Sequence, residues 1–164
     1  MKVHFKITAA LLETIRVDLR RPHRFAYERV GFISAGLAQS AEEVLVLARS
    51  YRPVADEDYL PDASVGAMMG PEAIRKAMEW ALIRGVAIFH VHTHGGMGMP
   101  EFSGVDVREN SKFVPDFLKV APQNIHGAIV LSDYAAAGQF WAARDRHAQR
   151  VTRFVEVGTQ IRKW

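Results

Sequence analysis

Apolar residues recur along this chain in two rhythms, one of helices and one of strands. Over residues 7–19, Leu11, Leu12, Ile15 and Leu19 return at helical spacing and predict one buried helix face, which Arg20-Arg21-Pro22-His23 breaks. Residues 30–38 and 44–51 are two apolar runs separated by Gln39-Ser40-Ala41-Glu42-Glu43, the pattern of a strand hairpin. Residues 53–64 form the longest irregular stretch, rich in acidic groups around Tyr59-Leu60-Pro61. Pro71 opens a helix and Gly85 ends it, with Ile74, Met78, Ala81 and Leu82 as the expected core face. Val86-Ala87-Ile88-Phe89 then leads into a buried strand. Residues 105–114 read as a helix that Pro115 restarts or kinks, and 125–131, 139–143 and 151–157 read as further strands. This order predicts one α/β domain over residues 1–164, a mixed sheet flanked by helices.

Composition narrows the chemistry. With 164 residues and 49% hydrophobic content the chain can bury a core of its own. It has no cysteine, so disulfides and thiolate metal sites are excluded. Met1-Lys2-Val3-His4-Phe5 lacks the apolar stretch of a signal peptide, and no run is long enough to span a membrane, so a cytoplasmic location is expected. A net charge of +3 is modest. The basic positions Arg144, Arg146, Arg150, Arg153, Arg162 and Lys163 read as a solvated face, since no nucleic-acid module accompanies them.

The concentrated chemistry lies in His90-Val91-His92-Thr93-His94 and in Ser103-Gly104-Val105-Asp106. Alternate side chains of a strand point the same way, so the three imidazoles would share a face. Zinc takes imidazole nitrogens and carboxylate oxygens, and a catalytic site keeps three protein ligands. Two strand histidines and Asp106 meet that count. Ser103-x-x-Asp106 also fits a helix start, with Ser103 as N-cap in a capping box. Hydrolysis at zinc needs a general base, and Glu28 precedes the apolar run that starts at Val30. Read alone, Glu28 would be a surface glutamate paired with Arg29 or Arg24.

Together these residues resemble the JAB/MPN family of JAMM-type zinc metalloproteases. That family's pattern sets a glutamate three residues before a glycine, here Glu28 and Gly31. It then runs a helix into a strand that ends in His-Ser/Thr-His, here His92-Thr93-His94, and closes on Ser-x-x-Asp, here Ser103 and Asp106. The resemblance covers roughly residues 2–141. Gly95 stands where the family has proline, Val30 where cysteine is frequent, and the loop before Ser103 is one residue longer than the common spacing.

The resemblance implies a single JAB/MPN domain of cytidine deaminase-like architecture and a zinc ion held by His92, His94 and Asp106. It implies Glu28 as general base and Ser103 as an oxyanion donor, with His90 in a supporting or packing place. The implied activity is that of a peptidase or isopeptidase on the C-terminal tail or conjugate of a ubiquitin-like or sulfur-carrier protein. Such an enzyme works beside an activating-enzyme system, and a homodimer is compatible with it. The acidic segment 56–62, with Tyr59 and Leu60, would border the cleft and hold the substrate protein, or serve only as a mobile, solvated connection. Two other classes stay open: a non-catalytic MPN-type scaffold subunit, or another zinc hydrolase acting on a small amide. The lack of cysteine ligands argues against the zinc nucleobase deaminases.

Overall fold

A computed structural model describes residues 1–23, 26–62, 64–145 and 147–164. The chain begins with β1 (Lys2–Thr8), α1 (Ala9–Leu19), β2 (Val30–Gln39) and β3 (Glu43–Pro53). A 3-10 turn (Asp56–Asp58) and two short strands, β4 (Tyr59–Leu60) and β5 (Met68–Met69), lead to α2 (Pro71–Arg84) and β6 (Ala87–Thr93). Next come α3 (Gly104–Phe113), a second 3-10 turn and α4 (Phe117–Val120). The chain finishes with β7 (His126–Leu131), β8 (Ala136–Trp141), β9 (Gln149–Arg150), β10 (Arg153–Val157) and β11 (Ile161–Lys163). Nine strands form one mixed sheet in the order β11-β10-β1-β3-β2-β6-β7-β8-β9, and β4 and β5 pair separately.

Most elements follow from local chemistry. The β2–β3 hairpin pairs Gln39 with Val44 and Gly31 with Pro53, antiparallel as expected. Pro71 opens α2, and Gly85 closes it at φ +59°, a left-handed conformation that glycine adopts without Cβ strain. Phe113 ends α3 just before the turn that contains Pro115.

Three expectations need correction. The helix starts at Ala9, not at residue 7, because Thr8 Oγ accepts a hydrogen bond from Leu11 N and caps it. The residues before it alternate, with Val3, Phe5 and Ile7 buried and Lys2 and Thr8 exposed, and so form a strand. On α2 the buried face is Ala73, Ala77, Trp80 and Ala81, whereas Leu82 is exposed. Small alanines let the helix approach the sheet closely, and that decides the face against the larger aliphatics. The strand expected at 139–143 runs from Ala136 to Trp141.

The sheet curls. Phe5 on β1 and Phe89 on β6 meet edge to face with ring centroids 5.1 Å apart, although two strands separate them in the sheet order. Val151 N donates to Gly138 O and Thr152 N to Val3 O, joining the β8 side to the β1 side. One core fills this concave face with Leu12 and Ile15 of α1. A second core lies on the opposite face, under α2 and α4, around Phe32, Trp80, Ile88 and Phe117. Strand β6 serves both: Ala87, Phe89 and Val91 enter the first core, and Ile88 enters the second. His90 and His92 share the face of Ile88 by the two-residue period. Among the described residues, no helix is long and apolar enough to cross a membrane.

Candidate metal centre

The site is assembled where β6 ends. Val30 pairs with His92 and Phe32 with His90, so these side chains lie on one side of the β2–β6 pair. Glu28 lies two residues ahead of β2 and lines the same cavity as His92. His94 lies one residue beyond β6, where its N–H donates to Leu131 O at the end of β7 (3.0 Å). Thr93 Oγ bonds the same carbonyl (3.0 Å) and accepts from Gly95 N (3.2 Å). Gly95 and Gly96 then turn the chain at φ +63° and +83°, conformations open to glycine, as the glycine-rich loop suggested.

Asp106 arrives from the first turn of α3. Ser103 N donates to Asp106 Oδ2 (2.7 Å), and Asp106 N donates to Ser103 Oγ (3.1 Å), which completes the capping box. The helix cap thereby aims the carboxylate at the two histidines. His92 Nε2 lies 3.1 Å from His94 Nε2. Asp106 Oδ1 lies 3.4 Å from His92 Nε2, and Oδ2 lies 3.2 Å from His94 Nε2. Around a tetrahedral zinc with bonds of about 2.0–2.1 Å, neighbouring donor atoms stand about 3.3 Å apart. The two imidazole nitrogens stand about one such edge apart, and Asp106 reaches them with different oxygens; taking one ligand atom from each residue, the three lie within 4.8 Å of one another. The donor set fits zinc, and a group of these three residues can hold a metal ion.

Electrostatics favour an ionised carboxylate. Burial opposes ionisation of Asp106, but the hydrogen bonds from His92 and Ser103 outweigh it and hold the carboxyl well below its ordinary range. His90 is different. Burial, helped by the neighbouring His92, pushes its imidazole down to about 3, so the ring is neutral near pH 7. Its ring stacks on that of His92 at 5.5 Å and is flanked by Phe32 and Phe113. It is not part of the metal-holding group, in keeping with a supporting place.

Glu28, His92 and Asp106 line one cavity of about 460 Å³. Arg29 does not neutralise Glu28. Its buried guanidinium is bonded instead to Asp56 (2.7 Å) and to the carbonyl of Pro22 (2.7 Å). Arg24, the other suggested partner, lies outside the described residues. Tyr27 N and Glu28 N both donate to Gly66 O (2.9 and 3.0 Å). A Cβ at position 66 would lie 2.5 Å from Glu28 Cδ, so only a glycine leaves the carboxylate where it is. Ser103 is exposed and is absent from the cavity lining. Its Oγ accepts from Asp106 N, which leaves the hydroxyl hydrogen available to donate.

Tyr59 corrects an expectation. It is buried, not a recognition anchor, and its hydroxyl exchanges hydrogen bonds with the backbone of Val30. Asp56 and Asp58 are held in ion pairs with Arg29 and Lys76. Of the acidic segment only Asp62 lines the cavity, and the wall is completed by residues around Val65, Met68 and Met69. Sequence reasoning missed Gly66 and Asn110. Asn110 stands four residues after Asp106, one helical turn on, and that spacing could have flagged it. Nothing local marks Gly66.

No protein-family model and no curated protein matches this chain. Among solved structures it is similar to the Trichoplax adhaerens STIL N-terminal domain, with 13% identity and a TM-score of 0.41. The alignment covers 82% of this chain, which spans only 39% of the length of that one.

Proposed function

We propose that this chain is a zinc-dependent peptidase or isopeptidase of the JAB/MPN, JAMM type, hydrolysing the C-terminal tail or conjugate of a ubiquitin-like or sulfur-carrier protein. The observation that carries the reading is the grouping of His92, His94 and Asp106, one ligand atom of each within 4.8 Å of the others, with His92 and Asp106 lining one cavity with an unneutralised Glu28. Zinc, when bound, supplies a Lewis acid that acidifies water and polarises a carbonyl. Glu28 takes the proton of the attacking water and passes it to the leaving amine, a role open to a carboxylate with no ion-pair partner among the described residues. Against its burial, Asp106 keeps its negative charge through His92 first and the Ser103 cap second, so the donor set stays ready for a cation near neutral pH. The Ser103 hydroxyl donates toward the oxyanion that forms at the carbonyl.

Metal analysis of the purified protein, alongside hydrolysis of ubiquitin-like and sulfur-carrier tails, tests this. One zinc per chain is expected, with loss in the His92→Ala, His94→Ala double variant. Glu28→Gln should keep zinc and lose about a hundredfold or more in kcat. Full zinc in the double variant, or near wild-type turnover in Glu28→Gln, would overturn the assignment.

A further inference from the structure

The cavity beside the donor group holds a buried polar pair, His90 and Asn110, within a wall of apolar and charged residues. His90 is only 6% exposed and Asn110 only 2%, and both line this cavity. Neither ring nitrogen of His90 has a hydrogen-bond partner among the described residues, and neither does Asn110 Nδ2. The Asn110 side chain reaches toward the His90 ring without forming a hydrogen bond of ordinary geometry. Buried polar groups are almost always paired, so orphaned atoms on two facing side chains call for a specific cause. The two residues line a space of about 460 Å³ that also holds Glu28 and Asp106, with the orphaned atoms themselves buried in its wall.

We infer that this cavity is a subsite for a neutral, hydrogen-bonding side chain of the substrate, a carboxamide such as that of glutamine or asparagine, read by His90 and Asn110. The inference rests on the peptidase reading for its substrate. The two ring nitrogens of His90 can donate and accept, and Asn110 Nδ2 adds further donors. A carboxamide carries the matching set, a carbonyl that accepts and an NH₂ that donates. An aliphatic side chain would leave the polar pair unsatisfied, which is how a polar site rejects an apolar competitor. A carboxylate would shed its water there without a counter-charge, beside Glu28 and Asp106. The rim does not supply one for a carboxylate: Arg108 and Lys112 are both paired with Glu109, and Glu28 and Asp62 add negative charge.

Ring-nitrogen NMR of the ¹⁵N-histidine-labelled protein tests the polar pair without relying on catalysis. Signals of His90, assigned from the His90→Phe variant, should move on titration with propionamide and stay still with propionate. Asn110→Leu should abolish the response. No movement with propionamide would overturn the inference and leave the polar pair merely hydrated, and equal movement with propionate would overturn it as charge-blind. A calorimetric series then uses zinc-loaded Glu28→Gln protein and peptides carrying Gln, Leu or Glu at each position around the scissile bond. At one position Gln should bind at least about tenfold tighter than Leu or Glu, a modest share of what a hydrogen-bonding pocket can discriminate. His90→Phe in that background should erase the preference while zinc content holds. Cleavage with no Gln preference at any position would sink the subsite and spare the peptidase. A protein that takes no zinc and cleaves nothing, yet answers propionamide through His90, would sink the peptidase and spare the subsite.

Discussion

His126 and His90 occupy neighbouring parallel strands, and both are buried. Around His126 every polar atom is used. Ile88 N donates to its Nδ1 (3.1 Å), its Nε2 donates to Ala121 O (3.1 Å), and its ring stacks on Phe117 at 5.4 Å. That pattern settles the tautomer, with the proton on Nε2. His90 also sits among aromatic rings, yet neither of its nitrogens is paired among the described residues. The two residues look alike in the sequence, each a histidine beside an apolar strand run. A histidine that ties a strand to the turn after α4 is structural. One in a cavity wall with both nitrogens unpaired is the one proposed to bind.

The contrast should appear most sharply in stability. His126→Ala strands the Ile88 N–H and opens a cavity beside Phe117, so a loss of about 4 kcal/mol is expected in denaturant unfolding. His90→Phe removes polar atoms that nothing pairs, and should change stability by no more than about 1 kcal/mol. Equal losses at the two positions would erase the distinction.

Acid should expose His126 next. Burial, partly offset by the bond to Ala121 O, lowers its pKa from 6.5 to about 4. Between these values the unfolded chain binds more protons than the folded one. Stability from this group is therefore full above about pH 6.5 and is lost as pH falls toward 4, by about 3 kcal/mol. Thermal unfolding across that window, compared with His126→Asn, measures it. A variant with the same acid slope as the wild type would assign the sensitivity elsewhere.

A third expectation turns from the structural end to the cavity. Gly66→Ala places a methyl against the Glu28 carboxylate and should displace it by about 1 Å. Misplacement on that scale costs about a hundredfold in rate where a catalytic group must be positioned. Zinc content should be unchanged, so the readout is kcat at full metal occupancy. Unaltered turnover would mean that Glu28 finds another route to its place.

The smallest effect belongs to the helix cap. Ser103→Ala removes one of the two capping-box bonds and should cost about 1 kcal/mol of stability. A larger effect on kcat than on stability, on the order of 2–4 kcal/mol in the barrier, would mark the hydroxyl as an oxyanion donor. A purely thermodynamic loss would leave Ser103 as a cap.

Much of this molecule is legible in local sequence. Gly85 and Ser103 act within a few residues of themselves, through a left-handed turn and a helix cap that local sequence favours. The β2–β3 hairpin is equally local. The face of α2 was not legible. Its periodicity allows two overlapping stripes, and the choice of Ala73, Ala77 and Trp80 depends on a sheet surface built from distant strands. Strand β1 was hidden because its alternation runs directly into the helical pattern of α1.

What the sequence alone determined is the donor inventory: imidazoles two apart on a strand, a carboxylate three after a cap, and a glutamate three before a glycine. Side-chain period and cap geometry act over single turns, so those statements need no fold. Only the tertiary structure decided that β2 pairs with β6 at Val30 and His92, that α3 starts against the end of β6, and that the chain at Gly66 closes on Glu28. The same holds for the orphaned pair His90 and Asn110. Register and helix docking are set by burial summed over many distant contacts. No short stretch of sequence encodes that sum.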